Sequence, residues 1–343
     1  MLIYIVTLAL ITFFAIVIYT RNTEIQKKDK LFLTITFIIL TFISGFRDVS
    51  VGTDTESYQS IFLKYVYGLP DYHSELGYAY FNKLIAMLSS NPQAIIIASS
   101  IIINLGVMRF IYKNSPNAWL SVYLYITLFF YFFSFNYTRQ FIAISLVLLG
   151  WNFLKDKKII TFLIFVILAT SFHTSAIISL LLIFIFFSRN NTRLVPWILI
   201  LSVISMLGMD TIFNYVFELF PRYQGYNTGD ISQSGGINSL ILYLVIFLVT
   251  LIFRKKKDPD NNIALIIVTI CAVLGVLSFE YYIFSRPSLY FNIFVIVIIP
   301  KITSNFKGIE SLIANYIVII FGFAYLMYYL FLNWHDVVPY EIF

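Results

Sequence analysis

Residues 159–188, IITFLIFVILATSFHTSAIISLLLIFIFFS, run for thirty positions without a charge between Lys158 and Arg189. As a single helix they would extend about 45 Å at ~1.5 Å per residue, well beyond a bilayer hydrocarbon core of ~30 Å. The stretch therefore divides into a helical hairpin over 159–188, with the polar centre SFHTS at 171–175 as its turn. Each arm of about fourteen residues reaches only ~21 Å, so the turn is expected below the outer surface and His173 at membrane depth.

The rest of the chain repeats this pattern of apolar runs and short polar breaks. Sixty per cent of its 343 residues are hydrophobic and 12% charged, which excludes a soluble globular domain. A span needs roughly 20 apolar residues, and about a dozen segments approach that length. The expected fold is all-α, a single transmembrane domain over 1–343 with about twelve crossings. The start, MLIYIVTLALITFFAIVIYT, has neither a basic leader nor a small-residue cleavage site and reads as a retained first span. A lone cysteine, Cys271, excludes an internal disulfide and a cysteine metal cage.

Basic residues set the expected topology. Seventeen of the 23 Lys and Arg lie in six short loops at 21–30, 109–117, 155–158, 188–193, 254–258 and 301–307, which the positive-inside rule assigns to the cytoplasm. The net charge of +6 is therefore topological and implies no nucleic-acid partner. A full crossing by ELGYAYFNKLIAMLSS (75–90) would invert every later loop, so 75–90 reads as re-entrant or interfacial. Both termini then lie outside, together with loops at 47–75 and 210–237. Within the first of these, Thr53-Asp54-Thr55-Glu56 matches a capping box, and Tyr58, Ile61, Phe62 and Tyr65 follow at helical spacing, predicting an amphipathic helix.

Four arginines fall on the outer side or at membrane depth: Arg47, Arg139, Arg222 and Arg286. A charge at membrane depth costs about 2.5 kcal/mol or more, so such groups usually face a cavity or a partner. The planar fork of arginine suits phosphate oxygens, and the four together point to an anionic ligand. Snorkelling, or pairing with Glu280, Asp210 or Glu218, is the competing explanation for each one singly. His173 and the outward acids supply candidates for a general base. There is no HExxH, GxSxG or Walker A sequence and no zinc-ligand spacing, so no metal site and no cofactor is expected.

The blocks GFRDVSVGTDTESY, ELGYAYFNKLI, FYFFSFNYTRQFIAISLVLLGWNFLKDKK, FLIFVILATSFHTSAII, PRYQGY and VPYEIF, in this order, resemble the EpsG family, grouped with Wzy-type O-antigen and capsular polysaccharide polymerases. The resemblance covers nearly the whole chain. It implies a GT-C-like helical architecture in the bacterial plasma (inner) membrane, with an active site facing the extracytoplasmic side. The implied reaction moves a growing glycan from a polyprenyl diphosphate carrier onto a sugar hydroxyl of a lipid-linked repeat unit. The expected partners are that lipid-linked oligosaccharide, the bilayer, a chain-length regulator and a flippase.

Under that resemblance Arg139, Arg222, Arg286 and Arg47 bind the diphosphate without a metal, and His173, Asp54, Glu75 or Glu280 provides the base. Tyr58, Tyr223 and Tyr226 stack on sugars, and Gln140 joins them as an acceptor-binding candidate. Arg286 and Glu280 rest on topology more than on the family blocks. Two other classes compete. A lipid-linked oligosaccharide flippase or other transporter needs polar groups through both membrane halves, which the cytoplasmic half lacks. A membrane O-acyltransferase would use His173.

Overall fold

A backbone in hydrocarbon must satisfy its polar groups internally, and apolar runs of this length do so as helices. The computed structural model describes residues 1–71, 74–219 and 236–343, without the side chains at 205–207, 210–219 and 280. In chain order the helices are α1 (Leu2–Tyr19), α2 (Ile25–Gly45), α3 (Thr55–Val66), α4 (Leu76–Ala86), α5 (Gln93–Asn114), α6 (Ala118–Thr127), α7 (Phe130–Asn136) and α8 (Thr138–Lys155). They continue with α9 (Ile159–Phe172), α10 (Leu181–Phe187), α11 (Leu194–Leu219), α12 (Gly236–Phe253), α13 (Pro259–Glu280), α14 (Ser285–Asn292), α15 (Val295–Thr303) and α16 (Gly308–Phe331). Among the described residues there is no strand, only an isolated antiparallel bridge between Arg47 and Ile342.

Among the described residues five helices, α1, α5, α12, α13 and α16, are long and apolar enough to cross a membrane. Up to seven spans result if two bent pairs each count as one: α6 with α7, bent by 50°, and the Tyr282–Asn292 segment with α15, bent by 51°. The expected break in 159–188 lies at His173. There α9 ends after 14 residues, His173 is extended, and a 3-10 segment, Thr174–Leu180, leads into α10. Helix α4 has 11 residues and extends only about 16 Å, half a hydrocarbon core.

The described residues form two compact units, one of residues 1–177 and 306–343, the other of 178–305. In the second, α12 packs along α13, which also meets α11 and α14. In the first, α2, α5, α8 and α9 pack in series and α16 lies against α6. Gly106 lets α5 and α8 approach closely: a Cβ there would stand 2.6 Å from the Ser145 Cβ, the small-residue contact on which membrane helices rely.

Unit one has two chemically different ends. One gathers basic-loop groups: Lys155 Nζ donates to Asn114 Oδ1 at 3.3 Å, and the Tyr19 hydroxyl donates to Asp29. The other gathers the end of α2, the starts of α5 and α8, and the residues after α16. There Gln93 Nε2 donates to the Gly45 and Arg47 carbonyls at 2.8 and 2.9 Å, and Asn136 Nδ2 to the His335 carbonyl at 3.2 Å.

Two local readings of the sequence need correction. Helix α3 does bury Tyr58 and Phe62, but it starts at Thr55 with Asp54 as an N-cap that makes no side-chain cap bond, so the capping box does not form. The hydroxyl of Thr55 instead donates to the Val51 carbonyl at 2.7 Å, tightening the turn before the helix. Residues 210–219, read as the start of a loop, continue α11. The apolar run LYITLFFYFFSF is interrupted at Phe129, whose φ of 70° is left-handed. Such a residue costs on the order of 1–3 kcal/mol, here offset by full burial against the rings of Phe132, Phe133 and Tyr329.

Candidate active site

Three elements of unit one bring Glu75, Arg139 and His173 together. Glu75 is the N-cap of α4, with extended backbone (φ −63°, ψ 149°); its carboxylate makes no bond to the amides of that helix and so serves other partners. Arg139 is the second residue of α8, where a cation opposes the helix dipole, so an acid is needed nearby. His173 caps the C-terminus of α9; its amide still donates to the Ala169 carbonyl at 3.0 Å while its side chain leaves the helix. Helices α8 and α9 pack along each other through the basic turn at 155–158, which fixes Arg139 and His173 at the far end.

The third partner arrives because Gly77 lacks a side chain. A Cβ at Gly77 would stand 2.2 Å from Ser171 Oγ and 2.8 Å from the Ser171 carbonyl oxygen, so α4 touches the last turn of α9 backbone-first. At that distance Arg139 Nη1 donates to Glu75 Oε2 at 2.5 Å, and His173 Nδ1 lies 3.3 Å from Glu75 Oε1. All three side chains are between a fifth and a third exposed, reachable from outside yet partly desolvated. The Arg139 guanidinium also stands 5.8 Å from the centre of the Tyr78 ring and against the Tyr58 hydroxyl.

The electrostatics follow from this arrangement. Burial opposes ionisation of Glu75, but the hydrogen bond from His173 and the charge of Arg139 outweigh it and hold the carboxyl below the usual glutamate value. Glu75 is therefore ionised at neutral pH. The stability from its ion pair is present above the ordinary glutamate range and is lost as pH falls through the lowered value. An ionised carboxylate only accepts, so the proton between Glu75 and His173 resides on Nδ1, and it is Nε2 that carries the lone pair whenever the imidazole is in its neutral form. Arg139 keeps further N–H donors beyond the one given to Glu75.

A family model described as EpsG family matches residues 30–342. The chain belongs to the EpsG family. EpsG is a Wzy-like polymerase family, so this is a polysaccharide-polymerase-like membrane protein. No curated protein and no solved structure matches the chain.

Other residues named from the sequence occupy different settings in this EpsG-family chain. Arg47 is 2% exposed and serves the fold: Nη1 donates to the Ser44 carbonyl, Nη2 to the Phe135 carbonyl at 3.1 Å and Nε to Thr55 Oγ1 at 3.3 Å. Its Cζ stands 4.6 Å from the centre of the Phe135 ring. Burial pushes its pKa down to about 10, leaving it charged at neutral pH. Tyr58, 7% exposed, donates to the Asn136 carbonyl at 2.9 Å, and Gln140 is 1% exposed, so both support the site from within. Asp54 is half-buried at the start of α3, its amide 3.4 Å from Asn136 Oδ1. Arg286 opens α14 in the second unit, and Glu280 ends α13. Arg222, Tyr223 and Tyr226 lie outside the described residues.

Sequence reasoning missed Gly77 and Ser171 as the contact that assembles the site. The signal was a glycine two residues after Glu75 in ELGY, in a helix otherwise rich in large side chains. The placement of Arg47 yields a prediction about stability. Arg47→Ala should lower thermal stability in detergent by about 1–3 kcal/mol for each carbonyl it strands, and reduce membrane level with it. Arg139→Ala removes one partly exposed ion pair and should lower both less. Size-exclusion recovery after heating measures the difference; equal loss in the two variants would refute the division of roles.

Proposed function

We propose that this chain is the polymerase of a lipid-linked polysaccharide pathway, acting at the extracytoplasmic face of a bacterial plasma membrane. It transfers a growing glycan from polyprenyl diphosphate onto a sugar hydroxyl of a lipid-linked repeat unit. The observation that carries this reading is the Glu75 carboxylate bridging Arg139 and His173, with one nitrogen of the imidazole directed to the carboxylate and the other available to a substrate.

In the reaction the acceptor oxygen attacks the anomeric carbon, forming the new glycosidic bond as the bond to the diphosphate breaks. His173 Nε2 takes the hydroxyl proton, Glu75 holds the ring and balances the imidazolium, and Arg139 meets the charge that develops on the departing diphosphate. None of these steps calls on a metal. Arg222 and Arg286 remain candidates for further contacts to the diphosphate, Asp54 and Glu280 for proton transfer, and Tyr223 and Tyr226 for sugar stacking.

Sidedness is supported by the segregated ends of unit one. Arg139 and Lys155 stand sixteen residues apart on α8, about 24 Å, so the site lies most of the way across a ~30 Å hydrocarbon core from the basic turn, below the outer surface. Twelve crossings, in a GT-C-like arrangement, follow if α2, α8, α9, the Thr174–Phe187 segment and α11 join the five long helices and the two bent pairs. A flippase delivering repeat units and a chain-length regulator are the natural partners.

Complementation of a deletion strain tests the reading. His173→Gln should abolish long polymer and leave single lipid-linked repeats at the outer face, with protein level unchanged. A normal polymer ladder would make His173 structural. Repeats retained inside the cell would instead identify a flippase, and loss of ester groups alone an acyltransferase.

A further inference from the structure

A second cluster of chemistry-bearing side chains sits beside the Glu75 site without belonging to it. Tyr137 immediately precedes α8, two residues and at most ~7 Å of chain from Arg139. Its ring is nearly parallel to that of Phe133, at 14° with centroids 5.9 Å apart. The imidazole of His335 stands at 84° to both, 5.3 and 5.2 Å away, and Trp334 at 85° to His335, 5.5 Å away. All four rings are partly exposed.

This corner is held in place at a conformational cost. Three residues of four, Asn333, His335 and Asp336, have left-handed backbone (φ 46°, 65° and 52°), a run that L side chains rarely adopt and that tends to persist at functional sites. The strand of contacts that imposes it is extensive: Gly52 N donates to the Asp336 carbonyl at 2.8 Å, Asn136 Nδ2 to the His335 carbonyl at 3.2 Å, and Val338 N to Asn333 Oδ1 at 2.8 Å. The Tyr4 hydroxyl adds a bond to the Val337 carbonyl at 2.7 Å.

We infer that Phe133, Tyr137, Trp334 and His335 form a saccharide subsite that holds the glycan of the acceptor repeat unit next to the reacting hydroxyl. Aromatic rings supply the flat apolar surface on which the C–H face of a pyranose rests, and the rim carries a carboxylate and an amide suited to its hydroxyls, Asp336 and Asn333. The rim is acidic, so the corner repels the diphosphate and takes the sugar, while Arg139 takes the phosphate. Side chains two apart at a helix start project to different sides, so the corner flanks the Glu75 site instead of overlapping it. It rests on the polymerase reading, and it takes over the stacking role that the buried Tyr58 is not placed to perform.

The test uses full-length protein in lipid nanodiscs and, as probe, the oligosaccharide released by mild acid from the host's lipid-linked repeat pool. Wild-type protein should bind it, and His335→Asn, which keeps the left-handed backbone but removes the ring, should weaken binding at least tenfold. Trp334→Ala should do the same and Trp334→Phe should stay within about threefold of wild type. In polymerisation assays these losses should appear as a raised acceptor concentration at half-maximal rate with the maximal rate kept. No binding by wild type, or unchanged affinity in His335→Asn and Trp334→Ala, overturns the subsite even if His173→Gln still abolishes polymer. Binding that tracks these rings while His173→Gln polymerises normally would leave the subsite standing and remove the catalytic reading.

Discussion

Glu75→Gln should reduce polymer synthesis by at least about 100-fold, close to 3 kcal/mol in the barrier, without removing the protein from the membrane. Glutamine has the same length and still accepts one hydrogen bond, so the loss is of charge and of a fixed acceptor on both sides. Arg139 would sit partly buried at the start of α8 with no carboxylate 2.5 Å away, facing the unfavourable end of the helix dipole. His173 would lose the partner that sets its tautomer, and an imidazole protonated on Nε2 cannot accept a hydroxyl proton. Both functions fail together, so Glu75→Gln should be as severe as His173→Gln, and the double variant little worse than either. Polymer ladders at matched protein level measure this; a Glu75→Gln strain within twofold of wild type would disprove the bridging role.

Gly77→Val should be nearly as damaging although it touches no substrate. Three atoms of Ser171 stand within 2.9 Å of where a Cβ would be, two of them backbone, and backbone cannot swing aside as a long side chain can. The start of α4 must therefore back away from α9, carrying Glu75 with it. A misplacement of about 1 Å costs on the order of 100-fold in rate where catalysis depends on orientation. Protein level should fall little, because α4 also packs on α3 and α5 and its exposed Leu76, Tyr80 and Leu84 face outward. Gly106→Ala is the control: it forces α5 from α8 at the centre of unit one and should lower stability and activity in parallel. Equal activity in Gly77→Val and wild type would show that α4 need not dock on Ser171.

The features legible in the sequence were those set by length and periodicity. Thirty uncharged residues are too long for one span, and the helix yields in the polar SFHTS, at His173; the segment after Glu75 forms a helix of only 11 residues. Pairings over long separations were not legible. Arg47 and Arg139 look alike as isolated outer arginines, and only the fold gives one the carbonyls of Ser44 and Phe135 and the other the carboxylate of Glu75, 64 positions away in sequence. The capping box failed because the helix begins at Thr55 with Asp54 in the N-cap position, which leaves Thr53 and Glu56 out of register for it. The break at Phe129 carried no signal, since every neighbour is apolar and the left-handed turn is imposed by ring packing. The corner at His335 was invisible for a related reason: Asn136 and Gly52, distant in sequence, hold its backbone.

The most direct measurement is a structure of the protein with a lipid-linked repeat unit bound. An acceptor sugar hydroxyl should lie about 2.6–3.2 Å from His173 Nε2, with a diphosphate oxygen on Arg139 and Glu75 still between the two. A repeat unit seated with its diphosphate and its hydroxyls away from Glu75, Arg139 and His173 would contradict the account.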